Sequence, residues 1–455
     1  NLNNNTDLDA KSVQITNVIY EPTTTSFLGN LNPLTIPSSI KPNLYTTKSR
    51  NSIQNFLNIS PIIKDNSGYK RVKSFSYSIN IGSAKKISSI KNSAIITNSV
   101  LASGDWYRFY IEKSGVYRIS KDFLQQLGIN LNGINPKKIK IYGNGGKMLP
   151  LANSSFYPDD LTENAIQIQG ESDGVFNSED YILFYGQGTS HWNEESQTNL
   201  NLYDTKSYYY INVQGDDGKR ILDMPQPSSP NTTTITSYDD YKFHEVDEKN
   251  IAQVGRQWVG ESFEINNNQE FTFDFPNIDS SVPVNLNVFL ASAAYTPTSF
   301  KITANGIDAG TVSFASLNTS SEIQYFNNKL TNSTFTGSSN IKIQLTYNNN
   351  GVPGSKGFLD FIQLKAKSKL QGFGKQFHFQ YDLASSSLGV IAYNFTNASS
   401  ISQIWNITDI YNVTKAENNN GNAFSFKANL GELQRYIAID PNDYYTPLKE
   451  SKSKI

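Results

Sequence analysis

The sequence predicts a mostly β protein: several β-sandwich or jelly-roll-like domains in tandem, with one or two short helices. Three observations carry this reading. Aromatic residues make up 12% of the chain, with Tyr 26 and Phe 26, while only 17% are charged, a composition that suits pleated sheet joined by polar loops. Short segments alternate apolar and polar residues at period two. Clusters of Gly, Asn, Ser and Pro separate them at turn-like intervals. At 455 residues the chain exceeds one ordinary core, so roughly two to four domains are expected.

Taken in order, Val13-Gln14-Ile15 and Phe75–Ile81 alternate as half-buried strands. Thr23 to Ser52, with Pro33, Pro37 and Pro42, has little periodicity and reads as an extended linker or a loop laid over another domain. Residues 1–100 thus form an N-terminal β segment with a linker. From residue 101 the pattern sharpens. Trp106–Ile111 reads as a strand, Lys113-Ser114-Gly115 as a turn and Val116–Ile119 as the returning strand of a hairpin. Ser120 is placed as an N-cap for a short helix carrying Phe123, Leu124 and Leu127, and Gly128 ends it. Strand patterns at Ile139–Tyr142, Ile166–Ile168, Tyr181–Tyr185 and Tyr208–Val213 complete a β-rich domain over 101–235.

Pro225 to Pro230 is the clearest linker. Beyond it, Phe271–Phe275, Val284–Val288, Phe300–Ile302, Ile341–Leu345 and Phe358–Leu364 alternate as the strands of a jelly-roll-like sandwich over 236–370. Residues 371–455 read as a β-rich junction leading towards a further domain, and Asp440–Ile455 as a charged linker.

Composition excludes several function classes. The formal net charge is -1, which offers no footprint for nucleic acid or an acidic membrane. No apolar run is long enough for a membrane helix. With Cys 0, the chain can form neither disulfides, nor thiolate metal sites, nor a cysteine nucleophile.

Each candidate motif has a bland alternative. Gly170-Glu171-Ser172-Asp173-Gly174 matches a nucleophile elbow, but a strand rather than a helix follows it, so an ordinary turn is expected. Tyr142–Lys147 resembles a phosphate loop without the helix such a loop needs, so a tight turn is expected. Asp173, Asn177 and Asp180 place oxygens around a Gly turn; they make either a self-capped Asx turn or a calcium loop. Gly255–Glu261 brings Arg256, Trp258 and Glu261 together. This is either a ligand platform or, preferred here, a buried tryptophan at a domain joint held by an Arg–Glu pair. Tyr208, Tyr209, Tyr210, Trp192 and Trp405 could line a sugar site, but strand alternation splits the Tyr run between two faces, which favours packing. No catalytic or cofactor-binding residue emerges.

The order of several segments resembles the region preceding the peptidase domain in the gingipain-like sortase family, cysteine peptidases of the type IX secretion system. These are Ser103-Gly-Asp-Trp, Ser114-Gly-Val-Tyr, Ile141-Tyr-Gly-Asn-Gly-Gly, Asp173-Gly through Asp180-Tyr-Ile-Leu-Phe-Tyr-Gly, Gly255-Arg-Gln-Trp-Val-Gly-Glu, Gly357-Phe-Leu-Asp-Phe-Ile and Tyr436-Ile-Ala-Ile-Asp. The resemblance spans roughly residues 100 to 440. It implies protein secretion at the bacterial cell surface, on the extracellular face of the outer membrane. There the enzyme removes the C-terminal sorting domain of secreted cargo and attaches the cargo to surface glycolipid. Implied partners are an outer-membrane β-barrel shuttle, cargo sorting domains and the chain's own peptidase domain. The family's Cys–His pair has no counterpart here, so the chain alone is expected to be inactive, a scaffold and recognition region needing no cofactor, with calcium at Asp173, Asn177 and Asp180 the one candidate. The alternative is a stand-alone carbohydrate-binding or adhesive surface protein.

Overall fold

A computed structural model describes residues 8, 12–24, 28, 36–49, 52–65, 67–79, 98–152, 155–320 and 324–455. The chain divides into two compact units, Asn1–Ile95 and Ile96–Ile455. In the first, Gly68–Ser78 is the middle strand of three, with Gln14–Pro22 and Ile62–Asp65 on either side. Within the stretch expected to be a linker, Asn43–Ser49 instead forms an antiparallel hairpin with Ser52–Asn58. The stacking of Tyr45 on Phe56, centroids 5.2 Å apart, marks its pairing; Tyr and Thr supplied β propensity that the nearby prolines obscured. The expected strand end at Asn80–Ile81 lies outside the described residues, as do 25–27 and 29–35 of the linker.

The second unit is mostly β and holds three sandwich cores. The first lies between a five-stranded sheet, ordered Leu448–Lys454, Tyr107–Ile111, Ser207–Asn212, Lys140–Tyr142 and Glu163–Asn164, and a three-stranded sheet, ordered Ile166–Gln169, Tyr181–Gly186 and Gly115–Ser120. Phe109, Ile111, Ile119, Phe184, Tyr209 and Ile211 fill it, and helix Lys121–Gln126 adds Phe123 and Leu124. The Ser120 hydroxyl accepts the Phe123 N–H at 3.2 Å, the cap expected from sequence.

Two expectations fail here. Tyr107–Ile111 and Gly115–Ser120 are not a hairpin: the first pairs with Ser207–Asn212, the second with Tyr181–Gly186. Both strands are buried on their alternating apolar faces, and two such faces turned to one core must come from opposite sheets. Lys113-Ser114 is therefore a corner between sheets, pinned where the Gly188 N–H donates to Ser114 Oγ at 3.0 Å. The tail is not a free linker either. Leu448–Lys454 pairs with Tyr107–Ile111 as an edge strand, and two of its charges sit in ion pairs, Glu450 with Lys206 at 3.0 Å and Lys454 with Asp105 at 2.8 Å.

One ten-stranded sheet runs through the other two sandwiches. Its main path is Leu222–Asp223, Thr414–Glu417, Gln403–Asn406, Arg435–Ile439, Phe377–Gln380, Ser237–Glu245, Lys356–Lys369, Val284–Ala293 and Asn327–Phe335. The last four strands face Asn268–Asp274, Asn340–Asn348, Thr298–Ala304 and Ile307–Phe314 over a core of Phe263, Phe275, Phe300, Leu286, Leu345 and Ile362. This is the jelly-roll-like sandwich, with its strands at the expected segments. The earlier strands face Thr233–Ile235, Val390–Asn394 and Ser425–Asn429 over Phe379, Tyr393, Phe426 and Tyr436. The Pro225–Pro230 segment therefore connects two sheets of the last sandwich.

Candidate functional site

The side chains most unusual in their surroundings gather where the first sandwich meets the jelly roll. The segment after Gly188 folds back on itself: the His191 N–H donates to Asn199 O at 2.7 Å and the Asn193 N–H to Thr198 O at 2.8 Å. Its tip is clamped by Glu245, at the end of strand Ser237–Glu245. The Glu245 carboxylate accepts from Thr198 Oγ1 at 2.6 Å, the Asn199 N–H at 2.7 Å and Asn199 Nδ2 at 2.8 Å. Trp192 stands edge-on to Phe361 of the jelly roll, centroids 5.5 Å apart, and its Nε1–H donates to Glu194 Oε2 at 2.7 Å.

Two further carboxyls lie within the field of Glu245. Burial pushes Asp360 up to about 8, with the charges of Glu245 and Asp247 adding to it. Burial also raises Asp247 to about 6, and Glu245 adds to it. Asp360 receives Gln257 Nε2 at 3.4 Å, while the buried Oδ2 of Asp247 and Oε2 of Glu261 have no hydrogen-bond partner. Among the described residues no group of three or more His, Cys, Asp or Glu has the geometry to hold a metal. Asp360, Asp247 and Glu245 are carboxyls driven towards their protonated form by burial.

The Gly255–Glu261 motif borders this cluster with different partners from those expected. Trp258 is 38% exposed, and its neighbour Val259 is the buried residue. No Arg256–Glu261 pair forms. Arg256 donates to Ser196 Oγ at 3.1 Å, and Glu261 takes His244 Nε2 at 2.6 Å. The buried tryptophan of a joint is Trp405. It packs with Val116, Leu183 and Tyr185 of the first sandwich and with Ile437 and Ile439 of the last. Alternation along a strand marks a face as apolar, but not what covers it, so the sequence could not rank one tryptophan above the other.

At 170–180 the expected turn is present. Gly170 and Gly174 have φ of 95° and 78° and flank a 3₁₀ turn containing Ser172. A Cβ at Gly170 would fall on the Asp180 carboxylate, so only glycine fits there. Asp173 accepts the Val175 N–H at 3.0 Å and Asn177 Nδ2 at 2.9 Å, and Asp180 accepts the Asn177 N–H at 2.6 Å. Asp173 and Asn177 are brought together, with the Asn177 amide serving as donor. His191, His244 and His378 lie apart; His378 Nε2 meets Tyr185 OH at 3.1 Å. The segment after Lys147 is irregular, not helical. Tyr209 is fully buried, with Tyr208 and Tyr210 on the other face of the strand.

A last feature is a cavity of about 210 Å³ between Lys147–Met148 and the 189–201 segment. His191, on its wall, is pulled down to about 4 by burial, then by the charges of Lys147 and Arg435, so its imidazole is neutral at pH 7. The sequence singled out Trp192 but gave no reason to bring Lys147 to it.

No protein-family model matches the chain, and none of the curated proteins does. Among solved structures, dimeric latent PorU from Porphyromonas gingivalis superposes with a TM-score of 0.67 at 20% identity, over 78% of this chain and 34% of that one. A family 35 carbohydrate-binding module from Clostridium thermocellum aligns at a TM-score of only 0.19, with 15% identity, over 28% of this chain and 95% of the module. The first of a multidomain xylanase's family 36 modules, from the hindgut metagenome of Trinervitermes trinervoides, aligns at 0.18 and 12% identity, over 28% of this chain and 96% of the module. The chain therefore spans about a third of the length of PorU, and over most of its own length it shares the fold of that part.

Proposed function

We propose that this chain is the non-catalytic scaffold and recognition region of a type IX secretion system sortase. In that reading the parent enzyme, a gingipain-like cysteine peptidase at the outer surface of the outer membrane, removes the C-terminal sorting domain of secreted cargo and attaches the cargo to surface glycolipid. The observation that carries the proposal is the PorU-like fold over 78% of the chain, with the ordered motifs from Ser103 to Asp440 beside it. The chain has Cys 0, so the nucleophile would come from a peptidase domain, and this region would position that domain against cargo and a β-barrel shuttle. Arg256 with Ser196, and Trp192 with Phe361, would help hold the two sandwiches in the required arrangement. The role needs no cofactor.

Two measurements test it together. The gene should encode a Cys–His peptidase in frame with this chain, and the purified chain should not cleave cargo sorting domains yet should retain the barrel protein in a pull-down. A gene without that peptidase, or thiol-independent turnover that survives repurification, would overturn the reading. An intact peptidase with no barrel retention would move docking to the peptidase itself.

A further inference from the structure

The cavity beside Lys147 combines features that neither scaffolding nor sandwich packing requires. Its walls are held in place by the chain's own hydrogen bonds. On one side Asn201 Nδ2 donates to Gly146 O at 2.9 Å, and the Gly146 N–H donates to Gln187 O at 3.0 Å, which holds the backbone just before Lys147. On the other side Glu245 fixes the 191–199 segment through its three hydrogen bonds, while Phe361 and Glu194 hold Trp192. A pre-set wall lowers the ordering cost of binding.

Charges of both signs line the cavity: Lys147 on one wall, Glu194 and Glu195 on the other. No carboxylate of a described residue pairs with Lys147. Desolvation holds its ammonium below the ordinary lysine value, and the charge that adds to this is a second cation, Arg435. Glu195 spends one oxygen on the Leu151 N–H at 3.2 Å. Between the two charged walls lie Met148, Leu200 and Trp192. A lone anion would be drawn to Lys147 but would face two carboxylates; a lone cation would face Lys147 and feel the charge of Arg435 as well. A compact body carrying an ammonium and a carboxylate meets both walls, and its remaining atoms meet apolar surface and an indole. The neutral His191 adds a hydrogen-bonding group without a third charge.

We propose that this cavity binds a small zwitterion of the α-amino acid class, with its carboxylate towards Lys147, its ammonium towards Glu195 and its side chain against Trp192, Met148 and Leu200. The site is independent of the proposed sortase role. Isothermal titration of the full chain with each standard free α-amino acid tests it, with acetate and methylamine as the two half-ligands. At least one amino acid should bind saturably. Lys147→Gln and Glu195→Gln should each weaken it about tenfold, or about 1.4 kcal/mol, and both half-ligands should bind at least as much more weakly. Thermal melts of both variants accompany the titrations, and both should match the parent. The proposal is overturned if no amino acid binds, if neither variant weakens binding, or if acetate or methylamine binds as tightly as the amino acid.

Discussion

Asp360 shows how one buried carboxyl can govern pH behaviour. It is 5% exposed and holds its proton up to about pH 8, through burial first and the charges of Glu245 and Asp247 second. In the unfolded chain the same group releases its proton at about pH 4. Between those values the folded state binds the extra proton, so raising the pH removes stability. That contribution is complete below pH 4 and is lost as the pH rises through 8. Asp247, raised to about 6, adds a smaller loss with the same sign. Asp360→Asn keeps the shape and removes the titration. We expect the variant to be more stable than the parent at pH 8, by roughly a few kcal/mol, and to show a flatter profile between pH 4 and 8. Urea melts across that range would show it, and a variant with the parent's pH slope would refute this assignment.

Among the elements, the stretch after residue 440 decides most. Tyr445 lies across the first sandwich: its N–H donates to Val116 O at 3.0 Å and its carbonyl accepts the Arg118 N–H at 2.8 Å. Its ring sits so close to Gly115 that a Cβ there would meet Tyr445 Cε2 at 2.4 Å. Glycine at this position is needed for close approach, not for a hairpin turn. Gly115→Val should push Tyr445 off the strand and cost about 1–3 kcal/mol, as overpacking does, with the Leu448–Lys454 strand losing amide protection first. Hydrogen exchange on residues 445–454 measures this; unchanged protection would mean that the contact does not hold the strand. The sequence located both segments but not their meeting, because strand partners more than 300 residues apart leave no local signal.

Across Ile96–Ile455 the three sandwich cores are tied together at several levels. The ten-stranded sheet passes from the jelly roll to the last sandwich through Ser237–Glu245, which pairs fully with Lys356–Lys369 and touches Phe377–Gln380 at Asp239. The first and last sandwiches share the apolar seam around Trp405. Across the same seam the buried Gln376 accepts the Val116 N–H at 2.7 Å and donates to Asp443 O at 2.6 Å. Such shared surfaces should couple unfolding. We expect tryptophan fluorescence and far-ultraviolet circular dichroism to report one coincident urea transition for residues 96–455. We also expect limited proteolysis near Pro225–Pro230 to yield no stable 101–235 fragment. Separate transitions would show that the sandwiches unfold independently.

The sequence alone determined the β class, most strand positions, the Ser120-capped helix and the turn at Gly170–Gly174. Each depends on neighbours within a few residues: period-two alternation, a cap three residues from its donor, a glycine at positive φ. It also determined that no cysteine chemistry resides in this chain. Only the tertiary structure decided which strands pair, that Lys113-Ser114 is a corner, that Trp405 and not Trp258 is buried at a joint, and that Lys147 and Trp192 share a cavity. Those outcomes depend on which apolar faces cover one another across hundreds of residues. An alternating strand states that one of its faces is buried, but it carries no mark of the surface that buries it.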